Sequence, residues 1–278
     1  MLLLNIQDII QLKMVYLEMR RRKENRWVFE LIKTSDVVLE VLDGRFPHLT
    51  RVSSIEKHIT SLSIPLILVL NKCDLVPRSI SEKNKKILQQ DFPTAYISAQ
   101  NRLGTKKLRQ QIAKLSPKRE TVISLVGIPN TGKSSLLNIL RGKHVAQTGQ
   151  KPGVTRHKQI VRISRKLLIY DSPGVVPFDH PDINLQAFIG AYPIENLDDP
   201  IDTVDFFLNR IRKNYSEDFI KKFDLPSLDI SNQEILEFIA KKRALMLKGA
   251  KLNLIEAAKV VMRELTAGKI AYWEEYEE

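Results

Sequence analysis

Two short motifs in an unusual order constrain this chain more than any other feature. "GIPNTGKSS", Gly127 to Ser135, is a G-x-x-x-x-G-K-S loop set between an apolar strand, "TVISLVG", and a helix start, "SSLLNIL". In that setting the backbone N–H groups of Asn130, Thr131, Gly132, Lys133, Ser134 and Ser135 can wrap phosphates at a helix N-terminus. Lys133 can reach the outer phosphates, and Ser134 can offer its hydroxyl to Mg²⁺. "LVLNKCDLVP", residues 68–77, carries N-K-x-D at Asn71, Lys72 and Asp74, and it precedes the phosphate loop. N-K-x-D is the pattern that reads guanine, and it normally follows such a loop. Either one match is accidental or the chain has been re-cut.

The remaining pieces decide between these. Asn71 to Asp74 end an apolar strand, where an open α/β sheet binds ligands. There the Asp74 carboxylate can accept from guanine N1–H and the exocyclic amine together, and Lys72 can lay its stem on the base. "ISAQN" closes the next strand, so Ser98 and the backbone of Ala99 could meet the guanine carbonyl. Downstream of the loop, Thr155 in "KPGVTR" could complete a Mg²⁺ shell in a switch segment. Asp171 and Gly174, in "DSPG" after "KLLIY", form a D-x-x-G whose aspartate supports Mg²⁺ and whose glycine N–H can sense a γ-phosphate. The order is base, base, phosphate, switch, switch. An ordinary small GTPase has phosphate, switch, switch, base, base. Joining the old ends through residues 104–115 and "SPKRE", and opening the chain after D-x-x-G, converts one order into the other without moving a strand. Both matches are real and the chain is a circular permutation.

Residue patterning predicts the fold that carries these pieces. Strands are expected at 36–43, 65–71, 94–99 and 121–127, with helices near 53–62, 79–90 and 104–115 between them. "QIVRIS" and "KLLIYDS" follow as a hairpin. This alternation means an α/β architecture, a mostly parallel sheet with helices on both faces. From about residue 179 the strand signals stop. The expected organisation is a permuted P-loop GTPase domain at 1–178 and a small all-helical domain at 179–278. The last helix has its own signals: Asn253 as N-cap with Glu256 three positions on, Leu254, Ala258, Val261 and Leu265 on one face, and Gly268 at the exit.

Charge narrows the partner class. Residues 1–178 hold 31 Lys/Arg against 13 Asp/Glu, whereas residues 179–278 hold 13 against 19. No acidic residue occurs between Glu120 and Asp171, a stretch that contains Arg141, Lys143, Lys151, Arg156, Lys158, Arg162, Arg165 and Lys166. A nucleotide uses few of these cations, so the remainder points to a larger polyanion such as RNA. The single cysteine, Cys73, excludes an intramolecular disulfide and suits a reducing compartment. The opening "MLLLNIQDIIQLKMVYLEMRRRK" lacks the leading positive charge and cleavage site of a secretory signal and reads as an amphipathic helix. The longest apolar run, "IPLILVL", is too short to span a bilayer, so no membrane is expected.

With these motifs assembled, the chain resembles the YlqF/YawG (RbgA-like) group of circularly permuted GTPases. "DVVLEVLDGRFP", "NKCDLVP", "ISAQNRLGTKKL", "GIPNTGKSSLLN", "KPGVTR" and "DSPGV" look like the group's blocks in its order, and the tail from "FIAKKRALMLKG" is similar to its helical domain. The resemblance implies slow GTP hydrolysis to GDP and phosphate, with Lys133, Asn130, Thr155 and Gly174 at the reacting phosphate. It also implies a monomer when free, a cytoplasmic location, and a switch role in assembly of the large ribosomal subunit through rRNA or a precursor particle. Asn130 matches the asparagine that holds K⁺ in K⁺-activated relatives. Two departures bear on water activation. Val175 stands where Ras-like enzymes have glutamine, and no histidine precedes His48, while His144 and His157 read as polar residues of a basic loop. A guanine-nucleotide sensor or scaffold with negligible turnover is therefore the alternative.

Overall fold

The computed structural model of the protein describes residues 26–141, 160–170, 174–175, 182–214 and 216–274. The expected N-terminal helix and the 178/179 division fall outside these residues. Among the described residues, seven strands form one sheet: β1 (Val37–Asp43), β2 (Leu66–Asn71), β3 (Thr94–Tyr96), β4 (Thr121–Gly127), β5 (Ile160–Arg162), β6 (Leu167–Tyr170) and β7 (Gly174–Val175). Their order is β3-β2-β1-β4-β6-β5, with β7 also paired to β4. Every pairing is parallel except the β5–β6 hairpin.

Burial on both faces explains why β2 reads as an apolar run up to Asn71, and why β1 and β4 are apolar around a single buried polar residue each, Glu40 and Ser124, between their ends. Val37, Leu39 and Val41 of β1 join Ile67, Val69, Ile123 and Leu125 on one face. There they pack under α5 (Thr105–Leu115) through Leu108 and Ile112, and under α6 (Lys133–Arg141) through Leu136, Leu137 and Leu140. The alternate residues Val38, Leu42, Leu66, Leu68 and Leu70 face the other way. They meet α1, a helical stretch over residues 26–33, and α3 (Ser53–Ser61), with Leu88 of α4 (Arg78–Leu88) at the margin. The short α2 (Pro47–Thr50) leaves the end of β1. The connection from β3 through α5 to β4 returns from the sheet edge to its centre. That connection is the join that the motif order requires.

The strand expected at 94–99 ends at Tyr96. Ile97 still bonds across to β2, its N–H donating to Leu70 O at 2.7 Å, but Ser98 turns back to pair with Leu103. A turn takes over there from the sheet ladder.

Five further helices follow: α7 (Ile183–Phe188), α8 (Pro200–Asn214), α9 (Ser216–Phe223), α10 (Asn232–Lys242) and α11 (Leu254–Thr266). The caps of α11 are those expected, with Asn253 Oδ1 accepting from Glu256 N–H at 3.0 Å and Gly268 in the left-handed region just past the helix. Their core includes Phe188, Phe207, Phe219, Ile235, Val261 and Leu265, and it also takes in Phe46 and Ile128 from the sheet portion. Phe46 lies 5.0 Å from Phe188 and 5.8 Å from Tyr272, ring centroid to centroid. The helices are thus docked onto the strand ends that carry the motifs.

Candidate functional site

The phosphate loop runs from the end of β4 at Gly127 to the start of α6 at Lys133, and three of its residues, Gly127 (φ 142°), Asn130 (φ 60°) and Gly132 (φ 92°), have positive φ. Thr131 is fully buried, and its hydroxyl donates to Ile128 O at 3.1 Å. Lys133 is buried too, and its ammonium donates to the Ile128 carbonyl inside the loop. Burial, and then the positive charge of Lys72, push its pKa down to about 7. Ser134 and Ser135 are exposed on the first turn of α6. β7 places Gly174 opposite Val126 and Val175 opposite Gly127, so the glycine of D-x-x-G runs beside the start of the loop. Thr155 and Asp171 lie outside the described residues. Among the described residues, no cluster of His, Cys, Asp and Glu is placed to hold a metal. Of the expected Mg²⁺ donors, the Ser134 hydroxyl is the one in view.

The base turn begins where β2 ends. Asn71 is buried, and its side chain donates from Nδ2 to Thr131 O at 2.9 Å and accepts at Oδ1 from Ala99 N–H at 2.9 Å. One amide therefore ties the base turn, the loop after β3 and the phosphate loop together. A side chain at Gly132 would put its Cβ 2.1 Å from Asn71 Nδ2, so glycine is required there by this contact as well as by its φ. Lys72 follows in left-handed backbone (φ 62°, ψ 31°), and a 3₁₀ turn over Cys73–Leu75 presents Asp74 to solvent. Ser98 is buried, and its Oγ accepts from Asn101 N–H at 3.0 Å, which fixes the turn that carries Ala99. The Cys73 thiol is pushed up to about 11 by burial and by Asp74, so it stays neutral.

Sequence reasoning missed a second layer behind these residues. Asp43, buried at the end of β1, accepts from Lys72 Nζ at 2.7 Å and from Arg45 Nη2 at 2.8 Å and Nε at 3.0 Å. Burial alone would raise the carboxyl, but Arg45 and Lys72 outweigh it and hold it well below the usual carboxylate range. For Lys72 burial wins over Asp43, and its pKa is lowered. Arg45 is 2% exposed; its Nη1 donates to Leu265 O at 2.7 Å, and its own carbonyl accepts from Glu274 N–H at 2.8 Å. The signal was present as "DGRFP", an aspartate that ends a buried strand and an arginine two residues on. Asn130 is tied as well, with Nδ2 donating to Gly190 O in the turn after α7 at 2.7 Å.

The basic hairpin expected from residues 159–172 is β5–β6 at the sheet edge opposite β3. Arg162 there is exposed and pairs with Glu120 at 2.7 Å, while Arg165 and Lys166 are also exposed.

Residues 23–181 match the RsgA GTPase family, and residues 122–247 match the family described as 50S ribosome-binding GTPase. An uncharacterized GTP-binding protein of Methanocaldococcus jannaschii, MJ1464, is 38% identical over 250 residues, covering 88% of this chain and 65% of that protein. Nucleolar GTP-binding protein 2 of Yarrowia lipolytica is 34% identical over 255 residues, covering 88% of this chain and 49% of that protein. The chain thus spans about half to two-thirds of these curated relatives' length. The crystal structure of GNP-bound YlqF from T. maritima superposes with a TM-score of 0.65 at 23% identity, covering 91% of this chain and 98% of that one. Its GDP-bound form gives the same TM-score at 22% identity, a likeness of fold. Among the described residues, no helix is long and apolar enough to cross a membrane.

Proposed function

The chain belongs to the circularly permuted GTPases of the YlqF/RsgA type, and on that premise we propose that it binds GTP, hydrolyses it to GDP and phosphate, and uses the cycle as a switch in assembly of the large ribosomal subunit. The observation that carries the nucleotide part is the Asn71 side chain, which holds the base turn and the phosphate loop at a fixed separation, as one ligand bridging both would need. In this reading Asp74 is the paired acceptor for guanine, and Lys72, held by Asp43, lies along the base. Ser98 and Ala99 shape the turn at the guanine carbonyl. The backbone of residues 130–135 wraps the phosphates, and Lys133 exchanges the Ile128 carbonyl for a phosphate oxygen.

Ser134, with Thr155 and Asp171, would hold Mg²⁺, which supplies charge neutralisation at the phosphates. Gly174, held opposite Val126 just before the loop, would offer its N–H to the γ-phosphate. Asn130 spends its amide N–H on Gly190, which leaves Oδ1 for a K⁺ ion. The basic sheet portion would meet rRNA or a precursor particle in the cytoplasm, and the chain would be a monomer when free. The helical division at 179–278 would receive the motion of Gly174.

Turnover measured with and without large ribosomal subunits, in K⁺ and in Na⁺, tests this reading. Stimulation by the subunit and by K⁺ is expected. Wild-type turnover that neither raises would favour the sensor reading, which Val175 in place of a water-orienting glutamine supports. Base reading is checked by Asp74→Asn, which should weaken GTP and improve xanthosine triphosphate in competition binding.

A further inference from the structure

β3 lies at the edge of the sheet, and a groove of about 770 Å³ runs between it, α4 and α5. Six cations line the groove, Arg78, Lys85, Arg102, Lys106, Lys107 and Lys114, and no carboxylate does. Arg78 is paired with Glu82 at 2.8 Å, and Lys85 Nζ sits over the Tyr96 ring at 5.8 Å. Arg102, Lys106, Lys107 and Lys114 make no ion pair among the described residues. Such unpaired charge is costly to gather on one surface unless something negative meets it.

The floor is of another kind. Tyr96 and Leu103 line it, and Leu103 is 55% exposed, a high value for a leucine beside a sheet edge. Lys106, Gln110 and Lys114 recur every fourth residue along α5, so they rise along one helix face over about 12 Å. Edge strands are often guarded by lysine against pairing with other strands. That duty needs one or two charges and no aromatic floor. Rows of cations beside an aromatic and an apolar side chain fit a polyanion with flat apolar faces, which is single-stranded nucleic acid.

We propose that the groove between α4, β3 and α5 binds single-stranded RNA, with the cations on the phosphates and with Tyr96 and Leu103 receiving bases. The choice of RNA rests on the ribosomal reading above. The groove is distinct from the β5–β6 hairpin, which lies at the other edge of the sheet. It also shares a turn with the base site: Ser98 and Leu103 exchange N–H···O bonds of 3.2 and 3.1 Å, so Ala99 and Arg102 sit on two limbs of one small bridge.

The test uses the full chain and a fluorescein-labelled 15-nucleotide oligouridylate, with binding followed by polarisation across a KCl series. Lys106→Gln/Lys107→Gln/Lys114→Gln should weaken binding at least tenfold and reduce the salt slope by about 2. Its affinity for a fluorescent GDP should be unchanged, which shows that the fold and the base site are intact. Wild-type affinity and slope in the triple variant would overturn the proposal. So would a polyglutamate peptide that binds the wild type as tightly as the oligouridylate, since the groove would then be a site for acidic protein. Photocrosslinking of the wild type to a 4-thiouridine oligomer needs no variant, and the modified peptide should fall within residues 78–114. Crosslinks confined to residues 160–170 would also overturn it. A wild type that binds large subunits but not the oligouridylate would sink the groove alone, whereas one that binds no subunits would sink the ribosomal reading.

Discussion

Asp43 is the residue on which the base turn rests. It is buried between Lys72 and Arg45, and both cations depend on it. Asp43→Ala would leave the buried Arg45 and the half-buried Lys72 without their partner, a loss of about 3 kcal/mol by analogy with other broken buried pairs. A lower Tm and weaker GDP binding are expected together, because Lys72 loses its anchor. Arg45→Lys should not preserve the wild-type Tm, since one ammonium cannot span the Asp43 carboxylate and Leu265 O as the guanidinium does. Retention of wild-type GDP affinity in Asp43→Ala would remove this residue from the site. Lys133 makes a second prediction. Its pKa near 7 in the free protein would rise beside phosphates, so nucleotide binding should take up a proton. The protonated form is the one that binds, so affinity should be full below pH 7 and should fall as pH rises above it, by up to about tenfold per unit. Titration calorimetry at pH 8 in buffers of different ionisation enthalpy reads the proton uptake directly, and none should be seen with Lys133→Met.

At the scale of elements, the exit of α11 meets the base turn. A Cβ at Gly268 would lie 2.3 Å from Leu75 Cδ1, and φ there is +71°. Gly268→Ala should therefore destabilise by about 1–2 kcal/mol from backbone strain, with a further loss from the clash. Leu75→Ala should relieve the clash and leave the strain, so the double variant should unfold at less denaturant than wild type but cost less than the two single losses added. Additive losses would show that the contact is slack. The elements also show what could be read from sequence. β1, β2 and β4 were legible because burial on both faces leaves them rich in branched apolar residues, and the caps of α11 because Asn253 and Gly268 act locally. β3 was read too long, since Ile97 to Ala99 look like strand but are drawn into the turn by Asn71 and Cys73, whose N–H donates to Ile97 O at 3.0 Å. The loop at 127–133 and the turn at 71–75 were legible as strand-end loops because G-x-x-x-x-G-K-S and N-K-x-D fix residue types at short spacing, whereas Thr155 and Asp171 lie outside the described residues. The ties of Arg45 to Leu265 and of Asn130 to Gly190 were not, because they join residues 220 and 60 positions apart and leave no local pattern.

For the whole molecule, the helices are not an appendage. Phe46 and Ile128 belong to the same core as Phe188, Phe207 and Leu265, so removing the helices would expose the strand ends that carry the site. One cooperative unfolding transition is expected. Trp27 in α1 and Trp273 beside the base turn report from the two ends of the fold. Single-tryptophan variants, Trp27→Phe and Trp273→Phe, should give coincident guanidinium transitions, and separated midpoints would mean that the two portions unfold independently. The same docking sets a clock. A chain is made from its N-terminus, so Asn71 and Lys133 leave the ribosome before Leu265 and Glu274 exist. With synthesis at bacterial to eukaryotic speeds, the delay from Lys133 to Leu265 is on the order of ten seconds. Throughout that interval Arg45 lacks the carbonyl that fixes it, and Leu75 lacks the surface on which it rests. Guanine capture should therefore wait until Leu265 and Glu274 have been made, and a nascent fragment with every nucleotide motif already translated should compete poorly for the cell's GTP.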